Sequence, residues 1–472
     1  MSTIDALPGP RGLPLIGNLL QLEPSHTYRI LCDWADQHGA IYTFRIGNLR
    51  VVTISDTALI DQLLRDRPDK FRRWQKMEEL AMEIGADGVF IAEGEKWRRH
   101  RKKVMHALNS HHVRQFWGRL EVVTNRLLAR WQSASTRAEP VDMRGDLMRY
   151  TVDVVSGFAF GHDLNTLEDI RNPIQQHLAK VFEAAARRQT ALFPYWRYLK
   201  LPRDRELDTA LIEVNKTIHD MIDKARAQLA ANPERHTNPA NLLEALVDGQ
   251  NKEEGSFTDG EIVGNVLTLL LAGEDTTANA ISWAVYFMVK HPDVQKKMQQ
   301  EVDGVLGVAS HPKDINDLDK LPYVEAVVKE ALRQKPVFPI IALEPYQDIA
   351  LQGINVPKGT PLFLLTGHLG RQDSNFTDAH IFQPERWLDT DISESRCHNP
   401  KGSLPFGAGL RYCPGQRLAM LEMMMALAML SKNFTVTAVT DLLPTQEHYA
   451  FTLCPTHVTV NLEQRGSYQP HL

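Results

Sequence analysis

Apolar residues recur along the chain with two periods, every second residue near its two ends and every third or fourth in between. Segments 40–47 and 49–55, AIYTFRIG and LRVVTIS, alternate around Gly47 and Asn48 and predict a β-hairpin. Long amphipathic runs follow, such as VTNRLLARW at 123–131 and IHDMIDKARAQLA at 218–230, each predicting a helix that buries one face. Strand signals return at 347–365 and 450–462. Ahead of the hairpin, Pro8, Pro10 and Pro14 with Gly9 and Gly12 between them predict an extended, proline-rich segment over residues 1–20, because proline fixes φ and lacks an N–H. No internal repeat or linker divides the chain. The pattern predicts a mainly α fold with small β-sheets in one domain, residues 1–472, and does not match an alternating α/β order.

One helix differs from the rest. Thr258 and Glu261 form a capping-box signature, and the periodic pattern then runs over 258–290 until His291 and Pro292. Asn265, Glu274 and Asp275 interrupt the apolar run before the ~18 residues a membrane span requires, so a buried central helix is predicted. Its middle, LLLAGEDTTANA at 269–280, places Gly273, two carboxylates and two threonines where a structural helix has aliphatic side chains. Glycine costs about 1 kcal/mol there relative to alanine, so Gly273 predicts a local opening or the close approach of a ligand.

Composition narrows the function classes. Apolar residues make up 43% and charged residues 24%, the balance of a soluble globular protein. A net charge of -5 excludes bulk attraction to nucleic acid. The first residues carry no basic stretch followed by a continuous apolar run, so neither a signal peptide nor a membrane anchor is expected and the protein is read as cytoplasmic. Four cysteines, Cys32, Cys397, Cys413 and Cys454, have neither disulfide-scaffold density nor zinc-site spacing.

Of these, Cys413 has distinctive company. It follows a loop containing Gly407 and Gly409, precedes Pro414 and Gly415, and opens a strongly apolar helical run in the region 400–430. Pro414 suits the first turn of a helix, and a sulfur near a helix N-terminus is favoured as thiolate. The three glycines would let backbone approach a flat ligand. Phe406, Gly409, Arg411, Cys413 and Gly415 fit the pattern F-x-x-G-x-R-x-C-x-G, and here the chain resembles the cytochrome P450 family, whose haem iron is held by a cysteine. Three further motifs occur in that family's order: AGEDTT in the central helix, the pair Glu330 and Arg333, and PERW at 384–387.

The resemblance implies haem b with Cys413 as the iron ligand and with Trp97, Arg101, Ala272, Gly273, Phe406, Gly407, Arg411 and Gly415 around the cofactor. Trp97 and Arg101 lie four apart in GEKWRRHRKK, so they share a helical face and offer N–H donors suited to propionates. Leu343 stands where family members often carry a further basic residue for a propionate. Glu330 and Arg333, three apart on YVEAVVKEALRQ, can pair, and the resemblance implies a buried network with Arg386 that holds the cysteine loop. Asp275 and Thr276 match the family's acid-alcohol pair, suited to relaying protons during reductive oxygen activation.

The implied activity is insertion of one atom of O2 into a lipophilic small molecule of fatty-acid, terpenoid or polyketide type. Leu269, Val337, Phe338, Ile340, Ile341 and Phe451 are expected to line the pocket, and Arg72, Arg73 and Lys76 are candidates to anchor a substrate carboxylate. Electrons would come ultimately from NAD(P)H through a separate ferredoxin or flavodoxin, as in soluble bacterial-type members without a fused reductase. Arg98, Arg99, Lys102 and Lys103 would steer that acidic partner. Two alternatives remain at this point: a peroxide-driven hydroxylase, which often lacks the acid-alcohol pair, and a non-catalytic haem-thiolate sensor, which would need an output domain.

Overall fold

The computed structural model describes residues 2–169, 171–191, 193–249, 257–388, 399–439 and 445–466. Helices dominate, with small sheets at the edges, as the two periods predict. The hairpin forms from Ile41–Ile46 and Leu49–Ile54, with Tyr42 opposite Thr53 and Gly47 at φ +60 in the turn. It is the outer pair of a five-stranded sheet that continues through Leu362–Leu364, Ile341–Pro345 and Phe71–Arg73. The last pairing sets Arg73 directly opposite Leu343. Ser2–Thr3, at the start of the proline-rich segment, adds an edge strand beside Ile354–Val356.

The helix Asp259–Lys290 runs through the middle of the molecule as predicted, with both halves of the capping box made. The Glu261 N–H donates to Thr258 Oγ1 at 3.2 Å, and the Thr258 N–H donates to Glu261 Oε2 at 3.0 Å. It buries Leu267, Leu270, Ile281 and Trp283 and packs chiefly on the helix Met143–Phe160. Contrary to the expectation of an opening at Gly273, the helix is continuous there. A Cβ at Gly273 would come within 2.3 Å of Val155 Cγ2, so packing against the neighbouring helix is by itself a reason for glycine here. One turn along that crossing, the Thr151 hydroxyl donates to the Glu274 carbonyl at 2.8 Å.

A buried ionic cluster anchors the helix Pro322–Gln334 to the segment leading toward Cys413. Arg333 donates to Glu330 Oε2 from Nε at 2.8 Å and to Oε1 from Nη2 at 2.7 Å, and both side chains are fully buried. Arg386 Nε at 3.0 Å and Trp387 Nε1 at 2.9 Å donate to the same carboxylate. The rest of the Arg333 guanidinium satisfies the Gly370, Ala379 and Ile381 carbonyls. Its face covers Phe376, against which Gly402 packs too closely to admit a side chain. The cluster therefore fixes the start of the cysteine region through packing and backbone bonds.

Replacing Glu330 with alanine strands two buried guanidiniums and is expected to cost about 3 to 5 kcal/mol, read as a lower urea midpoint; an unchanged midpoint would contradict the burial. Gly273→Ala is expected to lower Tm, and Val155→Ala in the same chain to restore most of the loss. A Gly273→Ala protein as stable as the parent would show that the contact is not limiting.

Candidate active site: a cysteine loop, a cationic corner and a carboxylate-threonine pair

The Cys413 N–H donates to the Phe406 carbonyl at 2.8 Å, closing a loop around Gly407 and Gly409, whose φ values are +72 and +68. The two glycines differ in reason. A Cβ at Gly409 would lie 2.3 Å from the Leu64 carbonyl oxygen, so this position is glycine because the loop presses on the helix Thr57–Asp66, whereas nothing crowds Gly407. The following helix is Gln416–Asn433, with Gly415 at its N-cap; Pro414 stands before it and not in its first turn. Burial pushes the Cys413 thiol up, while the Gly415 and Gln416 N–H groups and Arg101 pull the other way. A bound cation would favour the thiolate. Among the described residues no cluster of three or more His, Cys, Asp or Glu side chains could hold a metal. Burial pushes Cys32 up to about 12 and Cys454 to about 11, and Cys397 lies outside the described residues.

Beside this loop the helix Gly94–Ala107 brings Trp97 and Arg101 together, as their spacing predicts. Arg411 stacks 4.6 Å over the Trp97 ring and donates to the Ala92 carbonyl at 2.8 Å and to Glu93 Oε1 at 2.6 Å. Arg101 stacks 4.7 Å over Tyr412, and its Nη2 is buried without a hydrogen-bond partner. Two further arginines join. Arg67 Nη2 donates to Glu93 at 3.1 Å, and Arg73 donates from Nε to the Phe90 carbonyl at 3.1 Å with its guanidinium 3.7 Å over the Phe90 ring. Burial lowers Arg67 to about 10 and pulls Arg73, Arg101 and Arg411 down as well. Among the described residues Glu93 is the one carboxylate hydrogen-bonded to any of the four guanidiniums. Such a surplus of buried positive charge fits a dianionic group.

Arg73 was not expected here. Leu343 is fully buried among apolar side chains, and its cross-strand neighbour Arg73 carries the cation instead. Arg72 is turned to Glu78 and Glu344, and Lys76 donates to the Ala191 carbonyl at 3.2 Å.

On the central helix, Ala272 and Thr276 face open space while their flanking residues Leu271, Asp275 and Thr277 are buried. The Thr276 hydroxyl donates to the Ala272 carbonyl at 2.6 Å. Asp275 is held from two sides, by the Thr452 hydroxyl on Oδ2 and by Arg144 Nη2 on Oδ1 at 3.4 Å; Arg144 Nε also donates to Asn279 at 2.9 Å. Glu274 is fully buried, and burial, helped by Asp275, pushes its carboxyl well above the usual range.

An apolar cavity meets the helix at Ala272 and Thr276. Phe90, Phe338 and Phe451 interlock on its wall with centroids 5.4 to 6.2 Å apart, and Gln189, Thr268, Thr276 and Thr452 are its polar groups. Phe338 and Phe451 were expected there. Leu269, Val337, Ile340 and Ile341 are not on this wall and pack into the surrounding core. Phe90 carries no periodic signal, since it reaches the cavity from a loop, whereas Phe182 lies on the apolar stripe of the helix Ile174–Thr190 with Leu178, Val181 and Ala185.

Sequence reasoning also missed His100, fully buried on the helix of Trp97. It contacts Glu261 at 3.3 Å and Asn265 Nδ2 at 3.1 Å and so bolts that helix to the central one. Arg99 is drawn inward to Glu261, which removes it from the predicted basic patch. Arg98 and Lys102 stay exposed, with Leu410 and Tyr412 on the nearby cysteine loop.

Comparison with known proteins agrees with this geometry. The sequence profile of cytochrome P450 matches residues 7–462. A self-sufficient cytochrome P450 monooxygenase of Aspergillus niger is 29% identical over 465 residues, 95% of this chain but 41% of the relative. The chloroplastic protein LUTEIN DEFICIENT 5 of Arabidopsis thaliana is 27% identical over 84% of this chain and 67% of its own length. The mitochondrial 25-hydroxyvitamin D-1 alpha hydroxylase of Rattus norvegicus is 28% identical over 96% of this chain and 93% of its own length. The chain thus spans less than half of the fused fungal relative and nearly all of the rat enzyme. Among the described residues no helix is long and apolar enough to cross a membrane. A cysteine presented on a glycine loop, a corner where guanidiniums outnumber carboxylates and a profile match over almost the whole length lead to one conclusion: the chain belongs to the cytochrome P450 family of haem-thiolate monooxygenases.

Proposed function

We propose that Cys413 would hold haem b through its sulfur, that Trp97, Arg101, Arg411 and Arg73 would hold its propionates, and that the protein oxygenates a lipophilic small molecule. The observation that carries this reading is the excess of guanidinium over carboxylate beside the half-buried cysteine. Arg73 takes the part that Leu343 cannot, because their strands are in register. Phe406, Gly407 and Gly415 would hold the group from the cysteine loop, and Ala272 from the central helix. Gly273 has a packing role.

When bound, haem b supplies the activation of O2 with electrons that originate in NAD(P)H. Thr276 presents a hydroxyl in the cavity and Asp275 resupplies its proton. Arg144, whose side chain is 29% exposed, connects the acid to the surface. The interlocked phenylalanines and the scarcity of polar groups exclude water and favour a lipophilic substrate, oriented by few contacts. Electrons arrive from a separate acidic ferredoxin or flavodoxin that docks on Arg98 and Lys102 around exposed Leu410.

The ferrous carbon monoxide complex is expected to show the red-shifted Soret band of thiolate ligation; Cys413→Ala abolishes it, and Cys397→Ala or Cys454→Ala leaves it. Loss of the band in either of the latter alone would reassign the ligand. Thr276→Ala is expected to divert electrons into peroxide with haem retained, and unchanged coupling would remove the threonine from proton delivery. Lys102→Glu is expected to slow reduction by an acidic carrier, with the difference fading at high salt. A salt-independent rate equal to the parent's would rule out this docking face.

A further inference from the structure

Glu93 occupies the N-cap of the helix Gly94–Ala107, yet its carboxylate does not cap that helix. It is turned instead to arginines from three other elements. Oε1 accepts from Arg67 Nη2 at 3.1 Å, from Arg411 Nη2 at 2.6 Å and from the Arg73 backbone N–H at 2.9 Å, while Oε2 is buried with no partner. Arg67 follows the helix Thr57–Asp66, Arg73 ends a sheet strand, and Arg411 belongs to the cysteine loop. Burial raises the Glu93 carboxyl, but Arg67 and Arg411 outweigh it and keep the group ionised. A protein that needed only to bind propionates would gain nothing from a third anion competing for the same donors.

We propose that Glu93 is a resident counter-anion of the haem cradle, sharing Arg411 with the propionates, neutralising Arg67 beside them and lowering the reduction potential of the iron. This rests on reading the corner as the propionate cradle. Reduction adds an electron to the haem, and a fixed negative charge in a poorly solvated corner opposes it; a fixed positive charge favours it. Glu93 therefore sets how much of the arginine surplus the haem experiences. Arg67 bonds to no carboxylate but Glu93 among the described residues, so its influence has the opposite sign.

The test is potentiometric titration of the haem-loaded protein. Glu93→Gln, nearly isosteric, is expected to keep the thiolate carbon monoxide band and to shift the midpoint potential positive. Glu93→Asp is expected to return it toward the parent value, and Arg67→Met to shift it negative. A band-intact Glu93→Gln protein with an unchanged or more negative potential overturns the proposal. Should that variant fail to load haem, an Arg67→Met potential that does not move negative overturns it equally. Arg101→Ala, followed by haem transfer to apomyoglobin, separates the two levels. Transfer no faster than the parent's sinks the cradle itself, whereas faster transfer with a static Glu93→Gln potential sinks only the counter-anion.

Discussion

Burying a guanidinium costs several kcal/mol unless an opposite charge and hydrogen bonds offset it, and the corner between the Trp97 helix and the cysteine loop gathers Arg67, Arg73 and Arg411 around Glu93, with Arg101 beside them over Tyr412. Much of the surrounding architecture follows from satisfying that charge. The strand carrying Arg73, the turn carrying Arg67 and the loop carrying Arg411 all converge on one carboxylate. That convergence places Cys413 beside Arg101, and His100 ties the same helix to the central one. A cofactor with two carboxylates and a metal needing one sulfur completes both requirements together.

A second buried cluster plays a different part. Glu330 has four side-chain donor bonds from Arg333, Arg386 and Trp387, and although two guanidiniums face one carboxylate, backbone carbonyls take up their remaining N–H groups. It acts as a fixed pin, and the functional corner is the incompletely satisfied one. The contrast separates a structural ion network from a binding site by counting partners and not by counting charges.

Features set by local chemistry were legible in the sequence. The hairpin turn at Gly47, the capping box of Thr258 and Glu261, and the i,i+3 pair Glu330 and Arg333 each depend on residues a few positions apart. Features created by register or crossing were not. Arg73 replaces Leu343 only because two distant strands align. Gly273 reads as a ligand approach until Val155 is seen against it, and Gly409 likewise until Leu64 is. Phe90 reaches the cavity from a loop without periodicity, and Arg99, which looked like part of a docking patch, is committed to Glu261. Phe338 and Phe451 line the cavity, whereas Leu269, Val337, Ile340 and Ile341 pack into the surrounding core.

The central claim is that Cys413 binds iron through sulfur beside this cation-rich corner. Electron paramagnetic resonance of the ferric protein tests it most directly, comparing the parent with Cys413→Ser. The account predicts a low-spin rhombic spectrum of thiolate-ligated haem that is lost in the serine variant. An imidazole-type spectrum in the parent, or a spectrum unchanged by the substitution, would contradict it.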